Sequence, residues 1–254
     1  MTLRFMTALL CVVFMSCSAS VAYASGTANH AVNQLEELSG QIDEYVGADQ
    51  MNAARSLLNH FISQVNSGGM QAVSAHDREV IVTAAGKLLV ALQFSTSPNE
   101  VKACADAFYL GMDALTSPNR DPIWVSFRGR MLTLISQLQH SAVAHATDRY
   151  QDQFNRFLND YAIVYPAMII NGNTAAVATI DQQMNKLKEE ANTESAGKQQ
   201  LRMLSLLRQS VAAAFVRPAT ARPAQTTRLL LMWGALFLLS SGCLVLVRKT
   251  AKFR

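Results

Sequence analysis

The sequence predicts an all-α protein: an extracytoplasmic helical bundle or stack of helix pairs, about seven helices, followed by one C-terminal transmembrane helix. Three observations carry this expectation. Apolar residues through the interior of the chain recur at spacings of three and four, and alternating β-branched runs do not persist. The first 24 residues read as a secretory leader. Residues 229–247 form 19 consecutive residues without a charge, close to the ~20 that cross a bilayer core.

The leader has Arg4 as its positive region, then Phe5 to Met15, apolar except for Thr7. Ala22-Tyr23-Ala24 supplies the small-x-small pattern for cleavage and predicts a mature start at Ser25. An uncleaved N-terminal membrane helix is the alternative, but the apolar run is short for a span. Lipid attachment at Cys17 fits less well, because Phe14-Met15-Ser16 is a poor sequence ahead of such a cysteine.

The second apolar block, LLLMWGALFLLSSGCLVLV, shows no polar face. A helix satisfies its own backbone groups in lipid, so this segment is expected to span. Arg248, Lys249, Lys252 and Arg254 follow it without an acid. A translocated N-terminus and one stop-transfer helix then leave residues 248–254 as a short basic cytoplasmic tail and put everything before the span outside the cell membrane. Gly234 and Gly242 do not have the spacing of a helix-packing GxxxG pair. The expected organisation is therefore a signal peptide over 1–24, a helical extracytoplasmic domain over 25–216, a Pro/Ala-rich linker over 217–228, and a single-pass anchor over 229–247.

Charge is partitioned along these boundaries. The whole chain carries a formal +4, but residues 25–216 hold all 18 acids and only 14 of the 22 bases. The predicted domain is thus net acidic, which removes the main support for nucleic-acid binding. Of the four cysteines, Cys11 and Cys17 lie in the leader and Cys243 in the anchor. Cys104 stands alone in the domain, so no internal disulfide is available there and an apolar core must hold it together.

The helices follow in order. Leu35, Leu38, Ile42 and Tyr45 form one stripe, which resumes after Gly47 at Met51, Ala54, Leu58, Phe61, Ile62 and Val65 and stops at Ser67-Gly68-Gly69. Residues 74–94 form an apolar-rich second unit. Ser97-Pro98-Asn99-Glu100 combines an N-cap Ser, a Pro at the first helical position and a Glu three residues on, predicting that the serine oxygen and the Glu carboxylate both receive backbone N–H groups. Val101, Cys104, Ala105, Phe108, Met112 and Leu115 continue that helix. Asp121-Pro122 is expected to start the next helix in the same way, with Trp124, Phe127, Met131, Leu134, Ile135 and Leu138 on its stripe. Tyr150, Phe154, Phe157, Leu158 and Tyr161 form another, expected to stop near Pro166, and 164–170 is the one stretch that reads as extended. Two final stripes run over Val177–Leu187 and Leu201–Phe215. No second copy of any unit recurs at a fixed period, which disfavours a solenoid.

Catalytic chemistry is not signposted. His140 and His145 are five apart, which sets them on different helix faces, and the residues between them supply no zinc-protease glutamate. His76-Asp77-Arg78-Glu79 is explained by acids complementing a helix N-terminus. Asp106 and Asp113, seven apart, are the candidates for a cell-wall hydrolase pair, though acids so placed are more often surface charge. Cys104 on an apolar stripe reads as a buried, inert thiol. The composition with most promise is DPIWVSFRGRM, where Trp124, Arg128 and Arg130 form a candidate interaction patch, set against the reading that Trp124 and Phe127 are core. No metal, cofactor or nucleic acid is expected.

DPIWVSFRGRML (121–132), FNRFLNDYAIVYPAMII (154–170) and AARSLLNHFISQV (53–65), with the flanking leader and C-terminal membrane helix, resemble the sporulation protein YpjB family of endospore-forming bacteria. The resemblance spans nearly the whole chain. It implies a membrane-anchored protein associated with sporulation, suggests no enzymatic activity, and assigns no functional residues. The expected function is a non-enzymatic interaction or structural module with a protein or envelope partner. An envelope enzyme or a small-ligand sensor is the alternative.

Overall fold

A computed structural model describes residues 30–117, 122–190 and 197–216. The expected signal peptide, linker, membrane helix and tail all lie outside these residues. Among the described residues no helix is long and apolar enough to cross a membrane.

The described chain is helical, with eight α-helices and no strand. We label them α1 (30–47), α2 (Met51–Gln64), α3 (Ala75–Phe94), α4 (Pro98–Thr116), α5 (Phe127–Val143), α6 (Thr147–Asn171), α7 (Thr174–Glu190) and α8 (Gly197–Ala214). The expected all-α architecture is present, with one helix more than the approximate seven. The chain does break between two helices after Gly47, over residues 48–50, where Asp49 has φ 60°.

Two apolar cores organise these helices. Leu35, Ile42, Leu58, Phe61, Leu88 and Phe108 belong to the first, built from α1 to α4. Trp124, Ile135, Phe157, Val164, Ile180 and Leu207 belong to the second, built from α5 to α8. α4 serves both: Phe108 and Met112 face the first core, while Leu110 and Ala114 face the second. α6 packs along α4, and its Ile170 touches both cores.

Local chemistry accounts for the helix ends. Ser74 Oγ accepts from the Asp77 N–H at 3.0 Å, so the polar His76–Glu79 run is the first turn of α3. Pro98 occupies the first turn of α4, where its missing N–H costs nothing, and Ser97 Oγ accepts from Glu100 N–H at 3.4 Å. The return bond is relayed. Glu100 Oε2 accepts from the Ser95 hydroxyl at 2.6 Å, and Ser95 Oγ accepts from Ser97 N–H at 3.1 Å, so a second serine stands where the direct carboxylate contact was expected. Gly68, at φ +102°, kinks the π-helical turn Val65–Gly69 after α2, in the left-handed region that glycine tolerates. Asn173 Oδ1 accepts from Ala176 N–H at 3.2 Å and opens α7.

Two expectations are corrected. Pro122 does not open an α-helix directly; it has an extended backbone and precedes a 3₁₀ turn over Ile123–Ser126, after which α5 begins at Phe127. Asp113 explains the turn, because its buried carboxylate accepts from Ile123 N–H at 2.8 Å and from Ser117 Oγ at 2.9 Å. Nor does Pro166 stop a helix. α6 continues through it to Asn171, and 164–170 is helical, not extended. An internal proline forfeits one backbone bond and crowds the preceding turn, so packing must compensate. Pro166 is buried opposite Gly111 of α4: a Cβ built on Gly111 would lie 3.1 Å from Ile81 Cδ1 and 3.2 Å from Pro166 Cβ. The missing side chain lets α3, α4 and α6 converge.

Gly111→Val is expected to lower unfolding stability by about 1–3 kcal/mol, the usual cost of overpacking a filled site. Chemical denaturation monitored by helical circular dichroism reads this directly, and an unchanged midpoint contradicts the close approach.

Candidate functional site

Where α3 and α6 diverge on either side of α4, a half-open groove of about 1000 Å³ remains. Its apolar surface includes Val80 and Ala84 of α3, Ala103 and Ala107 of α4, and Ile163 and Ile169 of α6. The periodicity of α3 explains this exposure. Ile81, Ala85, Leu88 and Leu92 point into the core, yet the outer face stays apolar, with Val82, Val90 and Phe94 48%, 57% and 76% exposed. A helix apolar on most sides is ordinarily enclosed. A shallower extension of the groove carries Gly86, Val90 and Phe94 past Cys104.

One end of the groove concentrates polar chemistry. The Tyr161 hydroxyl donates to Asp181 Oδ1 of α7 at 2.8 Å. Burial first, and then this bond, push the phenol far above its ordinary range, so it remains a neutral donor. Tyr165 stands edge-on to Tyr161 with ring centroids 5.5 Å apart, and burial followed by the Asp181 charge raises its phenol too. Pro166 has no N–H to offer the Ala162 carbonyl, and both residues line the groove. At the other end Lys87 and Glu100 bring opposite charges to the surroundings of Cys104.

The interaction patch expected from the sequence is dispersed. Trp124 is fully buried and stacks on Phe215 at 5.1 Å, as the core reading had it. Arg130 pairs with Asp160 through two nitrogens and lies over the Phe127 ring at 4.6 Å. Arg128 is exposed. None of these three residues lines the groove.

The acid pair is dispersed as well. Asp113 is committed to the 3₁₀ turn, and Asp106 to Lys102, which also bonds Asp43 of α1 at 2.8 Å. Seven residues rise about 10 Å along a helix, so the two acids lie two turns apart with separate partners. His140 and His145 are both exposed, His145 in a left-handed link at φ 52°. Cys104 is half-buried at the groove wall, not fully enclosed, and burial raises its thiol pKa.

The groove itself was not legible in the sequence. One signal for the Tyr161–Asp181 pair existed: the two residues lie eleven before and nine after Gly172, so a hairpin of α6 and α7 brings them opposite each other.

Two measurements check this geometry. Alkylation of Cys104, followed on its own peptide by mass spectrometry, is expected to be several-fold slower at pH 8 in the folded chain than in denaturant, because the thiolate is disfavoured and half-covered. Equal rates contradict the placement. Lys102 and Asp106 give a pH dependence. Burial raises the Asp106 pKa, with Lys102 opposing and Asp43 reinforcing the shift. The folded chain therefore holds this proton more tightly than the unfolded one, and the group's contribution to stability improves as pH falls through the raised value. Lys102→Met is expected to destabilise the chain at pH 7 and to lose much of that effect by about pH 4, where carboxyls near their ordinary range gain protons. A pH-independent loss excludes the charge explanation.

No curated protein and no solved structure matches the chain. A family model described as sporulation protein YpjB (SpoYpjB) matches residues 32–247, which takes in the whole groove and both cores. The chain thus belongs to the sporulation protein YpjB family, as the tryptophan-bearing and tyrosine-proline segments indicated.

Proposed function

We propose that this sporulation-family chain is a non-enzymatic binding module held at the outer face of the cell membrane, and that the groove between α3, α4 and α6 is its recognition surface. The groove carries this reading. It joins a cavity of about 1000 Å³ to an exposed apolar face on α3, where a folded domain ordinarily covers such surface. The acids that suggested hydrolase chemistry are instead engaged structurally, Asp106 with Lys102 of its own helix and Asp113 with Ser117 and the 3₁₀ turn, which lends the enzyme alternative less support. A small-ligand reading keeps some weight, because the cavity lies at the upper end of the range for small-molecule sites. Anchoring rests on the leader-like N-terminus and the uncharged stretch 229–247. A translocated N-terminus followed by that one stop-transfer stretch would leave the groove outside.

Two experiments on the full-length chain test this. A photo-crosslinking residue at Thr83, an exposed position lining the groove, is expected to capture one discrete adduct in sporulating cells and none in vegetative cells. The same residue at exposed Arg128 is expected to capture none. Equal capture at both positions contradicts the groove as the recognition surface. Gln93→Cys, exposed on α3, is expected to react with a membrane-impermeant maleimide added to intact protoplasts, while Lys252→Cys is expected to react only after permeabilisation. The reverse pattern overturns the topology.

A further inference from the structure

We infer that the groove takes a cationic, amphipathic helix of a protein partner, with an arginine or lysine head seated at its Tyr161–Tyr165–Asp181 end. This rests on the groove being the recognition surface and adds the chemistry of its occupant. Three features at that end favour a cation. The Asp181 carboxylate borders the groove and, among the described residues, accepts from the Tyr161 hydroxyl through Oδ1, leaving acceptor capacity on its oxygens. The half-exposed Tyr165 ring sits beside it, and aromatic faces attract guanidinium and ammonium groups. Ala162, whose carbonyl receives no helical donor from Pro166, lines the same wall.

Charge around the rest of the rim agrees. Glu79, Glu100 and Asp181 are its acids, against Lys87 and the imidazole of His76. Lys87 and Glu100 act on Cys104 in opposite directions, so their charges offset at that end, while Asp181 is the acid at the tyrosine end. Both tyrosines hold raised phenol pKa values in part because of the Asp181 charge, which is the same field a bound cation meets.

The walls suit a helix. Val80, Ala84 and Thr83 on one side and Ala103 and Ala107 on the other are short side chains, and Gly86 has open space where a side chain would be. Small residues let a helix approach closely, while Val90 and Phe94 extend the apolar track along α3. An occupant with apolar residues at i, i+3, i+4 and i+7 matches such a track, as helix-in-groove recognition requires.

The test uses full-length chain in a neutral detergent and three capped, fluorescent 14-residue peptides. All carry leucine at i, i+3, i+4 and i+7; the remaining positions are arginine-rich, glutamine-rich or glutamate-rich. Binding is read by anisotropy for the natural chain, Asp181→Asn and Thr83→Trp. Asp181→Asn keeps an acceptor for Tyr161 and removes the charge, and Thr83→Trp fills the groove from an exposed position. Helical circular dichroism and the thermal midpoint confirm that both variants fold.

The expected result is at least ten-fold tighter binding of the arginine peptide than of the glutamine peptide, weakest binding of the glutamate peptide, loss of most of that preference in Asp181→Asn, and loss of all groove binding in Thr83→Trp. If all three peptides bind alike and Thr83→Trp still blocks them, the cation preference is overturned while the groove survives as a recognition surface. If Thr83→Trp changes nothing for any peptide, the underlying groove reading fails as well. Concentration-dependent self-association abolished by Thr83→Trp assigns the groove to a second copy and overturns the proposal.

Discussion

The convergence of three helices on Gly111 is the constraint on which the rest of the structure depends. α4 is shared by both apolar cores, and at Gly111 it presents bare backbone to Ile81 of α3 and Pro166 of α6. Even a Cβ there would lie 3.1 Å from Ile81 Cδ1 and 3.2 Å from Pro166 Cβ, and a larger side chain would crowd both helices. Without one, α6 seats along α4, the second core forms against Leu110 and Ala114, and the first forms against Phe108 and Met112. The same contact places the floor from which the groove opens, because Pro166 lines it and Ile81 lies just beneath.

Polar residues in this fold are largely spent on geometry. Asp113 holds the link between α4 and the 3₁₀ turn, Asp160 receives Arg130 across α5 and α6, and Lys102 bridges Asp43 and Asp106 from α4 to α1. Buried acids persist where hydrogen-bonded donors replace their lost water. With no internal disulfide in the domain, these ties select the helix arrangement that the apolar cores alone would leave less specified, since burial is non-directional. Asp181 differs in position: its bond to Tyr161 lies at the edge of a cavity and not inside a core.

Pro166 belongs both to the contact between α4 and α6 and to the wall of the groove. Its ring removes one backbone bond from α6 and yet fits against Gly111, so the helix continues and the Ala162 carbonyl is left beside the groove. A proline in the same helix facing solvent would lack the compensating contact and would favour a break. The family to which the chain belongs was suggested by the Tyr165-Pro166 segment, and the structure gives that dipeptide two roles: packing against α4 and shaping the acceptor-rich end of the groove.

The sequence by itself determined the helical class, the helix stripes, the capped start at Ser97, the break after Gly47, and the single cysteine of the domain. These are local properties: a 3.6-residue period and a serine ahead of a helix act within a few residues, whatever lies elsewhere. It misjudged Pro166 and 164–170, because a proline's local penalty was legible and the Gly111 notch that offsets it, 55 positions earlier, was not. It paired Trp124 with Arg128 and Arg130 by proximity in the chain, whereas burial against Phe215 and the bond to Asp160 separate them. The groove, the Tyr161–Asp181 contact and the exposed face of α3 were decided by tertiary structure alone. Which apolar residues are covered depends on which helices meet, and that is a property of packing between distant segments rather than of any segment's own pattern.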